Sequence, residues 1–385
     1  MTIFDVAVVG CGPAGAVAAA DLASHGLKVV LVDKEKLPRY KVCGGGVVFR
    51  AREMLDVDIS PVVESECHSV RVTLLNSGIS FEASRDEPIV SMVMRSKFDL
   101  LLTEYAQQAG AELITGFFIK SAEFHADHVC LKTDSARIKA RYIIAADGAN
   151  SIMARLAGWK ETRRMAPALE CELTVSEHVA ARFENVARFD FDMPPNGYGW
   201  VFAKGNHLSV GLGGFGFSRK RNLKLLLHEY LKKMEINLPA EVEIHGYVVP
   251  ISPRKDGFVR KRVFLVGDAA GVADPVSAEG ISFAIRSGQI AAGALVDAQL
   301  DETGAADLYE SRLTDEVLIE LAAGRKLERL LHTSEQVRIW LMKNYGSRLT
   351  EAVADVYTGK RSYHAAADSF IKRVKSGLLG WTGRS

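Results

Sequence analysis

The sequence predicts an α/β protein in which a parallel sheet with crossover helices is interrupted by a mostly antiparallel sheet and followed by a C-terminal helical region. Three observations predict it. A strand, a helix and a strand follow one another within the first 33 residues, which is a βαβ unit. From about residue 160, short β-rich runs alternate with turn residues, the pattern of an antiparallel sheet. Near residue 263 an apolar run of the first kind returns, so the first domain is discontinuous in sequence. A chain of 385 residues, 48% of them hydrophobic, is large enough for two closely joined domains of roughly 100–200 residues each plus a helical extension.

In order along the chain, FDVAVVG (4–10) is a buried strand and residues 14–25 an Ala-rich helix with Gly26 as its stop. LKVVLVD (27–33) is the second buried strand. A Gly-rich loop occupies 43–46, and VRVTLLN (70–76) reads as a strand. SKFDLLLTEYAQQAG (96–110) reads as a helix capped by Ser96 with Asp99 three residues on. HVCLKT and YIIAADG read as strands. ALECELTV, ARFDFDM, GYGWVFA and LSVGLGG supply the second sheet, and residues 219–234 a helix. VFLVGDAAG (263–271) rejoins the first sheet. Helices are expected over 279–298 and 304–332, with a basic helical tail at the end. The expected division is 1–160 with 255–300, then 161–254, then 301–385.

Composition excludes several functions. Lys+Arg number 48 against 47 Asp+Glu, so no basic surface for nucleic acid is expected. The N-terminus enters a strand at once and lacks the pattern of a signal peptide. No apolar run approaches the roughly 20 residues of a membrane span. The five cysteines (Cys11, Cys43, Cys67, Cys130, Cys171) are scattered. They predict neither a disulfide framework nor a metal site, and point to a reduced, cytoplasmic setting.

Gly10, Gly12 and Gly15 form G-x-G-x-x-G between the first strand and the first helix. The first glycine permits the turn, the second admits a pyrophosphate, and the third lets the helix pack close to the sheet. The helix N-terminus, with Ala14 in its first turn, presents free N–H groups to the phosphates. Asp33, ending the second strand, is placed to accept hydrogen bonds from ribose hydroxyls. A Rossmann-like, dinucleotide-binding domain follows.

Two further segments, I-I-A-A-D-G-A-N-S-I-M-A-R (143–155) and L-V-G-D-A-A-G (265–271), each end a β-rich run with Asp beside Gly. With the fingerprint, in this order, they resemble the flavoproteins of the para-hydroxybenzoate hydroxylase fold. The resemblance implies FAD as the tightly held nucleotide. Gly267 and Asp268 would then meet its ribityl or pyrophosphate groups, and Gly280 and Ile281 would present backbone N–H groups to the flavin ring. Asp147 and Gly148 would lie near the FAD entrance, and Ile119, on a β-rich stretch, would contact the adenine. Arg95 would lie near the flavin; the alternative for it is a solvated surface charge.

Within that fold, aromatic hydroxylases usually carry G-D-A-A-H and a later asparagine. Here Gly271 and Ile281 stand in those places. The loop PRYKVCGGG (38–46), and YGWVFA followed after seven residues by GLG (211–213), resemble the geranylgeranyl reductase branch instead. Ala203 stands where its motif has proline, and Ala278 where a glycine commonly precedes Glu279. The resemblance implies reduction of isolated C=C bonds in a prenyl group by FAD, itself reduced by NAD(P)H or a small reduced electron carrier. Gly44, Gly45 and Gly46 are expected to let backbone approach the cofactor. Cys43 is expected beside the ring, as a proton donor or as a packing and gating residue. Tyr198, Trp200 and Phe202 share one face of a strand, an aromatic wall suited to an isoprenoid chain or an ordinary core face. Gly211 and Gly213 belong to the same substrate motif. Trp200 is placed to stabilise a cationic carbon, and Cys43, Tyr198 or a flavin-bound water to donate the proton.

Two rival readings are a flavin monooxygenase or halogenase of the same fold, and a non-catalytic FAD-bearing protein that carries lipid or senses redox state. The tail SFIKRVKSGLLGWTGRS mixes apolar and basic residues. It is expected either to rest peripherally on the inner face of a membrane, where prenyl lipids reside, or to dock on its own domain.

Overall fold

The computed structural model describes residues 3–215, 222–239, 241–331 and 335–382, with side chains through Val374. Two sheets carry the site. The first has eight strands. Ile3–Val9 lies between Arg137–Ala145 and Val29–Asp33, with Glu112–Thr115 beyond the latter and Val263–Leu265 beyond the former, all parallel. Val259–Arg260, Val129–Lys132 and Ser121–Phe124 extend it antiparallel. Val29–Asp33 is buried along its whole length, because it is an inner strand of a parallel sheet, with the helix Pro13–Ser24 packed on it. That is why it reads as an unbroken apolar run rather than an alternation.

The helix Pro13–Ser24 crosses between the first two strands, and Ile281–Asp297 packs on it. The contact is close: a Cβ on Gly288 would come within 2.3 Å of the Ala14 carbonyl oxygen. The returning strand Val263–Leu265 pairs with Arg137–Ala145, as the sequence predicts.

The second sheet has seven strands, in the order His245–Pro250, Met165–Thr174, His207–Gly214, Gly197–Lys204, Val186–Phe191, Ser69–Leu74 and Ile79–Ser84. The last two come from the range assigned above to the nucleotide half, and Ser69–Leu74 pairs parallel with Val186–Phe191. A small sheet of Gly46–Val48, Val90–Val93 and Val63–Cys67 sits between.

The strand Gly197–Lys204 is buried at every residue. Its alternation explains this. Gly197, Gly199, Val201 and Ala203 are small or slender on one face, where Tyr230 of the helix Leu223–Lys233 lies against Gly199. Tyr198, Trp200 and Phe202 fill the other.

The helix expected over 96–110 forms as Arg95–Gln108, but Ser96 does not cap it. Met94 holds the cap position, with no side-chain hydrogen bond there. Asp99 is instead drawn to Arg95 and Arg39, because a buried carboxylate gains more from two guanidinium groups than from a backbone N–H. The stretch 304–332 begins at Glu302 and runs helical to Leu331, with a wider turn at Thr314–Leu318. The helix expected from 219 is described from Leu223, capped by Asn222; its first residues lie outside the described ones.

The helix Glu335–Tyr357 lies on the 69–84 hairpin, where Gly346 leaves room for the Phe81 ring. Tyr363–Thr382 follows. Phe370 and Val374 are buried against the chain's own helices, with Phe370 edge-on to Tyr345. The apolar residues of the tail beyond Val374 lie outside the described side chains. Among the described residues, no helix is long and apolar enough to cross a membrane.

Candidate functional site

One cavity of about 830 Å³ runs from the glycine fingerprint to the aromatic face of the second sheet. That falls in the range of sites holding large ligands. At its nucleotide end, Gly10 has φ of +110°, and a Cβ there would press to 2.3 Å from the Ala146 carbonyl oxygen. A Cβ on Gly15 would meet the Gly10 carbonyl oxygen at 2.0 Å, so Gly15 packs the helix rather than lining the space. Gly12 differs: a Cβ there meets nothing within 4 Å. Its missing side chain leaves open space at a helix N-terminus, the cradle a pyrophosphate needs.

Asp33 is buried. Its carboxylate accepts the Cys11 N–H at 2.8 Å and the Glu35 N–H at 2.9 Å. It is thus fixed beside the turn with lone pairs left for hydroxyl donors. Burial, reinforced by Asp33, holds the Cys11 thiol well above its usual range, so Cys11 is an inert packing residue. All five cysteines are free thiols, and no cluster of metal-binding side chains occurs among the described residues.

Asp147 accepts the Met153 N–H at 2.9 Å through one oxygen. The other is buried without a partner among the described residues, on the cavity wall. Such an orphaned acceptor calls for a ligand donor. Burial raises this carboxyl above the usual range. Gly148, with φ of +79°, turns the chain under the Tyr247 hydroxyl. That hydroxyl donates to Asp268 at 3.2 Å and accepts the Ala149 N–H at 3.3 Å, tying the second and third motifs together. Gly280 is the N-cap of Ile281–Asp297, so a second helix N-terminus opens on the same cavity. Ile119 also lines it, on a loop rather than a strand.

Arg95 is buried and lines the cavity, which overturns the surface-charge alternative. It holds Asp99 through two hydrogen bonds of 2.8 and 3.0 Å. Arg39, which sequence reasoning did not single out, bridges Asp99 at 3.0 Å and Asp33 at 3.5 Å. Lys41 stands 3.4 Å from the Tyr247 ring centroid, and burial, then Arg95, lowers its pKa.

The loop 43–46 lies where the two halves meet. Its glycines answer first to the protein. A Cβ on Gly44 would come within 2.9 Å of the Phe202 ring and 3.1 Å of Trp200 Nε1. One on Gly45, at φ of +76°, would strike the Val93 carbonyl oxygen at 2.1 Å. The glycines therefore let the loop lie against the aromatic strand, and loop and strand both line the cavity. Cys43 is half-buried and lines that cavity, its Sγ accepting the Gly45 N–H at 3.4 Å.

The aromatic wall is larger than the sequence motif. Phe189 packs 5.6 Å from Tyr198 and 5.5 Å from Phe202 between ring centroids, and Phe215 lies 5.7 Å from Tyr198. Tyr357, from the C-terminal helices, lines it too. The Tyr198 hydroxyl donates to the Ser277 carbonyl oxygen, and burial holds its pKa well above the usual value. Gly211 and Gly213 pair directly with Trp200 and Tyr198. A Cβ on Gly211 would sit 2.1 Å from the Trp200 ring. Gly211 thus seats the ring without bordering the cavity, while Gly213 borders it.

Sequence reasoning missed Glu170, whose signal is faint: one of two acids, with Glu172, on the same face of the strand Met165–Thr174. Glu170 is 1% exposed and lines the cavity. Its Oε1 accepts the Tyr40 hydroxyl at 2.8 Å, and Oε2 has no partner among the described residues. Burial, then the neighbouring Glu172 carboxylate, pushes its pKa up to about 7.

A phosphate cradle, two helix N-termini and buried acids open on one space with an aromatic wall, and this defines an FAD-binding oxidoreductase. Residues 4–191 match the FAD binding domain family. A digeranylgeranylglycerophospholipid reductase of Methanopyrus kandleri is 31% identical, covering 85% of this chain and 90% of its own. A geranylgeranyl diphosphate reductase of Rhodobacter capsulatus is 32% identical, covering 76% and 74%. Among solved structures, a geranylgeranyl bacteriochlorophyll reductase-like protein of Thermoplasma acidophilum superposes with a TM-score of 0.80 at 22% identity, covering 96% of each chain. The flavin-dependent brominase Bmp2 shares the fold at a TM-score of 0.75 and 18% identity, covering 98% and 100%. The chain belongs to the geranylgeranyl reductase family of FAD-dependent oxidoreductases.

Proposed function

We propose that this enzyme saturates isolated C=C bonds in a geranylgeranyl or related prenyl group, carried on a lipid, a quinone, a chlorophyll precursor or a diphosphate. One observation carries the reading: the aromatic wall of Tyr198, Trp200, Phe202, Phe189 and Phe215 lines the same cavity as the nucleotide cradle. An apolar chain on that wall reaches the cofactor without crossing water. The named relatives, which act on geranylgeranyl diphosphate or on digeranylgeranylglycerophospholipid, support it.

Reduced FAD supplies the hydride equivalent; NAD(P)H or a small electron carrier is its source. The protein's own residues do the rest. Gly12, Asp33, Asp147, Asp268 and the two helix N-termini hold the nucleotide. The aromatic wall orients the chain and excludes water. An isolated alkene has no carbonyl to absorb negative charge, so proton-led addition builds positive charge on carbon. The Trp200 face stabilises that charge by roughly 0.5–2 kcal/mol.

The test is mass spectrometry on purified protein, with FAD reduced anaerobically by dithionite and a panel of geranylgeranyl lipids offered. The expected result is a gain of hydrogen pairs without oxygen. Oxygen or halide incorporation on admitting air and halide, with no hydrogenation, would move the protein to the monooxygenase or halogenase reading. An FAD-loaded protein inert in both would be the non-catalytic carrier or sensor.

A further inference from the structure

We propose that Glu170, relayed to solvent by Tyr40, is the residue that donates the proton to the alkene. The proposal rests on the prenyl-reduction reading above. Its first support is a row of paired residues across the second sheet. Trp200 pairs with Gly211, Gly211 with Glu170, and Glu170 with His245. Residues so paired project from the same face, and Gly211 puts no side chain between the Trp200 ring and the Glu170 carboxyl. The group suited to a cationic carbon and an acid able to create one therefore stand on the same face of one cavity.

The second support is the carboxyl itself. It is buried, and Oε2 has no partner among the described residues. Buried polar atoms are rarely left so unless a ligand or reaction uses them. Of the side chains named above as donors, the Tyr198 hydroxyl already gives its proton to the Ser277 carbonyl oxygen, whereas Cys43 Sγ accepts the Gly45 N–H and keeps its own proton.

The surroundings keep the acid protonated near neutrality, where a general acid works best. Burial and Glu172 favour the neutral form, while the Tyr40 hydroxyl, Lys204 and the Cys43 N–H favour the charged one; the balance lies at about 7. Lys204 is itself paired with Glu172 at 2.6 Å. His245, ring-to-ring with Tyr40 at 4.4 Å, pairs with Glu243 at 3.4 Å.

In the step, the Glu170 O–H bond breaks and a C–H bond forms at one alkene carbon from the π electrons. The other carbon takes the hydride equivalent of reduced FAD, which is thereby oxidised. Glu170 is left as carboxylate. Tyr40, whose residue is 45% exposed, passes a proton to it through the existing hydrogen bond in concert with uptake of one from water, because burial and Glu170 hold the Tyr40 pKa well above its usual value and forbid a free tyrosinate.

The experiment compares wild type, Glu170→Gln and Glu170→Asp holoenzymes, reduced with dithionite, in single turnover on a geranylgeranyl lipid over about pH 5 to 9. The wild-type rate should fall tenfold per pH unit above about 7. Glu170→Gln should lose about 100-fold or more and its pH dependence, with the flavin spectrum unchanged; Glu170→Asp should recover part of the rate. As a readout independent of turnover, carbon NMR of holoenzyme labelled at glutamate carboxyls should show a resonance titrating near neutrality that is missing from Glu170→Gln. Active wild type with an equally active Glu170→Gln of the same pH profile, or no such resonance, overturns the assignment alone. Wild type that reduces no prenyl lipid overturns it together with the reading beneath it.

Discussion

A single missing Cβ marks where the phosphates go. At Gly12 the space is open, whereas at Gly10 and Gly15 the protein's own carbonyls fill it. Gly12→Val should therefore fold yet crowd the pyrophosphate. The purified variant should be colourless, and a yellow, FAD-loaded one would move the phosphate site elsewhere. Two positions also acquire physical content: Gly271, which differs from the aromatic hydroxylases, and Ala278, which departs from the reductase pattern. Gly271 sits at φ of +83° with the Ser252 carbonyl oxygen 2.4 Å from where a Cβ would lie, so a histidine is excluded at this turn. Ala278, by contrast, holds φ of +55° without being glycine, a conformation costing an L-residue about 1–2 kcal/mol. Asp274 and its neighbours hold it there. Asp274 accepts the Val276 N–H at 2.7 Å, the Ser277 hydroxyl at 2.9 Å and the Tyr363 hydroxyl at 3.2 Å. Fingerprint residues were legible in sequence because their spacing is local. Glu170 was not, because its meaning comes from Gly211 and Tyr40, each distant in sequence.

The strand Gly197–Lys204 works as an element because its two faces differ in size. Its aromatic face is seated by glycines on the neighbouring strand, so the motif YGWVFA with GLG is a packing rule before it is a binding rule. Gly211→Ala follows from this: the added methyl must displace the Trp200 ring. Overpacking of this kind costs typically about 1–3 kcal/mol. Urea denaturation should show that loss, and turnover should fall while FAD stays bound. Unchanged stability would mean the ring moves aside freely. The alternation of Tyr198, Trp200 and Phe202 was readable from sequence; the glycines' service to the rings was not, since cross-strand register is invisible in one strand. The same limit hid the true cap of Arg95–Gln108, which buried ion pairing decided.

Across the whole molecule, the cavity draws its walls from both sheets and from the C-terminal helices through Tyr357. FAD bound there couples both halves. At a concentration about 100 times its dissociation constant it should add about 2.7 kcal/mol to folding. Calorimetry should then show one transition shifted upward. Two transitions, only one of which moves, would mean the halves unfold independently. The parallel sheet and its return near 263 were legible because each strand is an apolar run. The place of 69–84 was not: its partner Val186–Phe191 lies more than a hundred residues on, and no local pattern announces a parallel pairing at that distance.

The rings set against glycines also shape how this pocket can change over evolutionary time. Cutting back one of these buried rings enlarges the space in one mutational step at a cost of about 3–5 kcal/mol. Narrowing it by adding bulk at Gly44 or Gly211 collides with Trp200 or Phe202 and requires a second, compensating substitution. The pocket can thus be resized in single steps at the rings, whereas resizing it at the glycines takes paired substitutions.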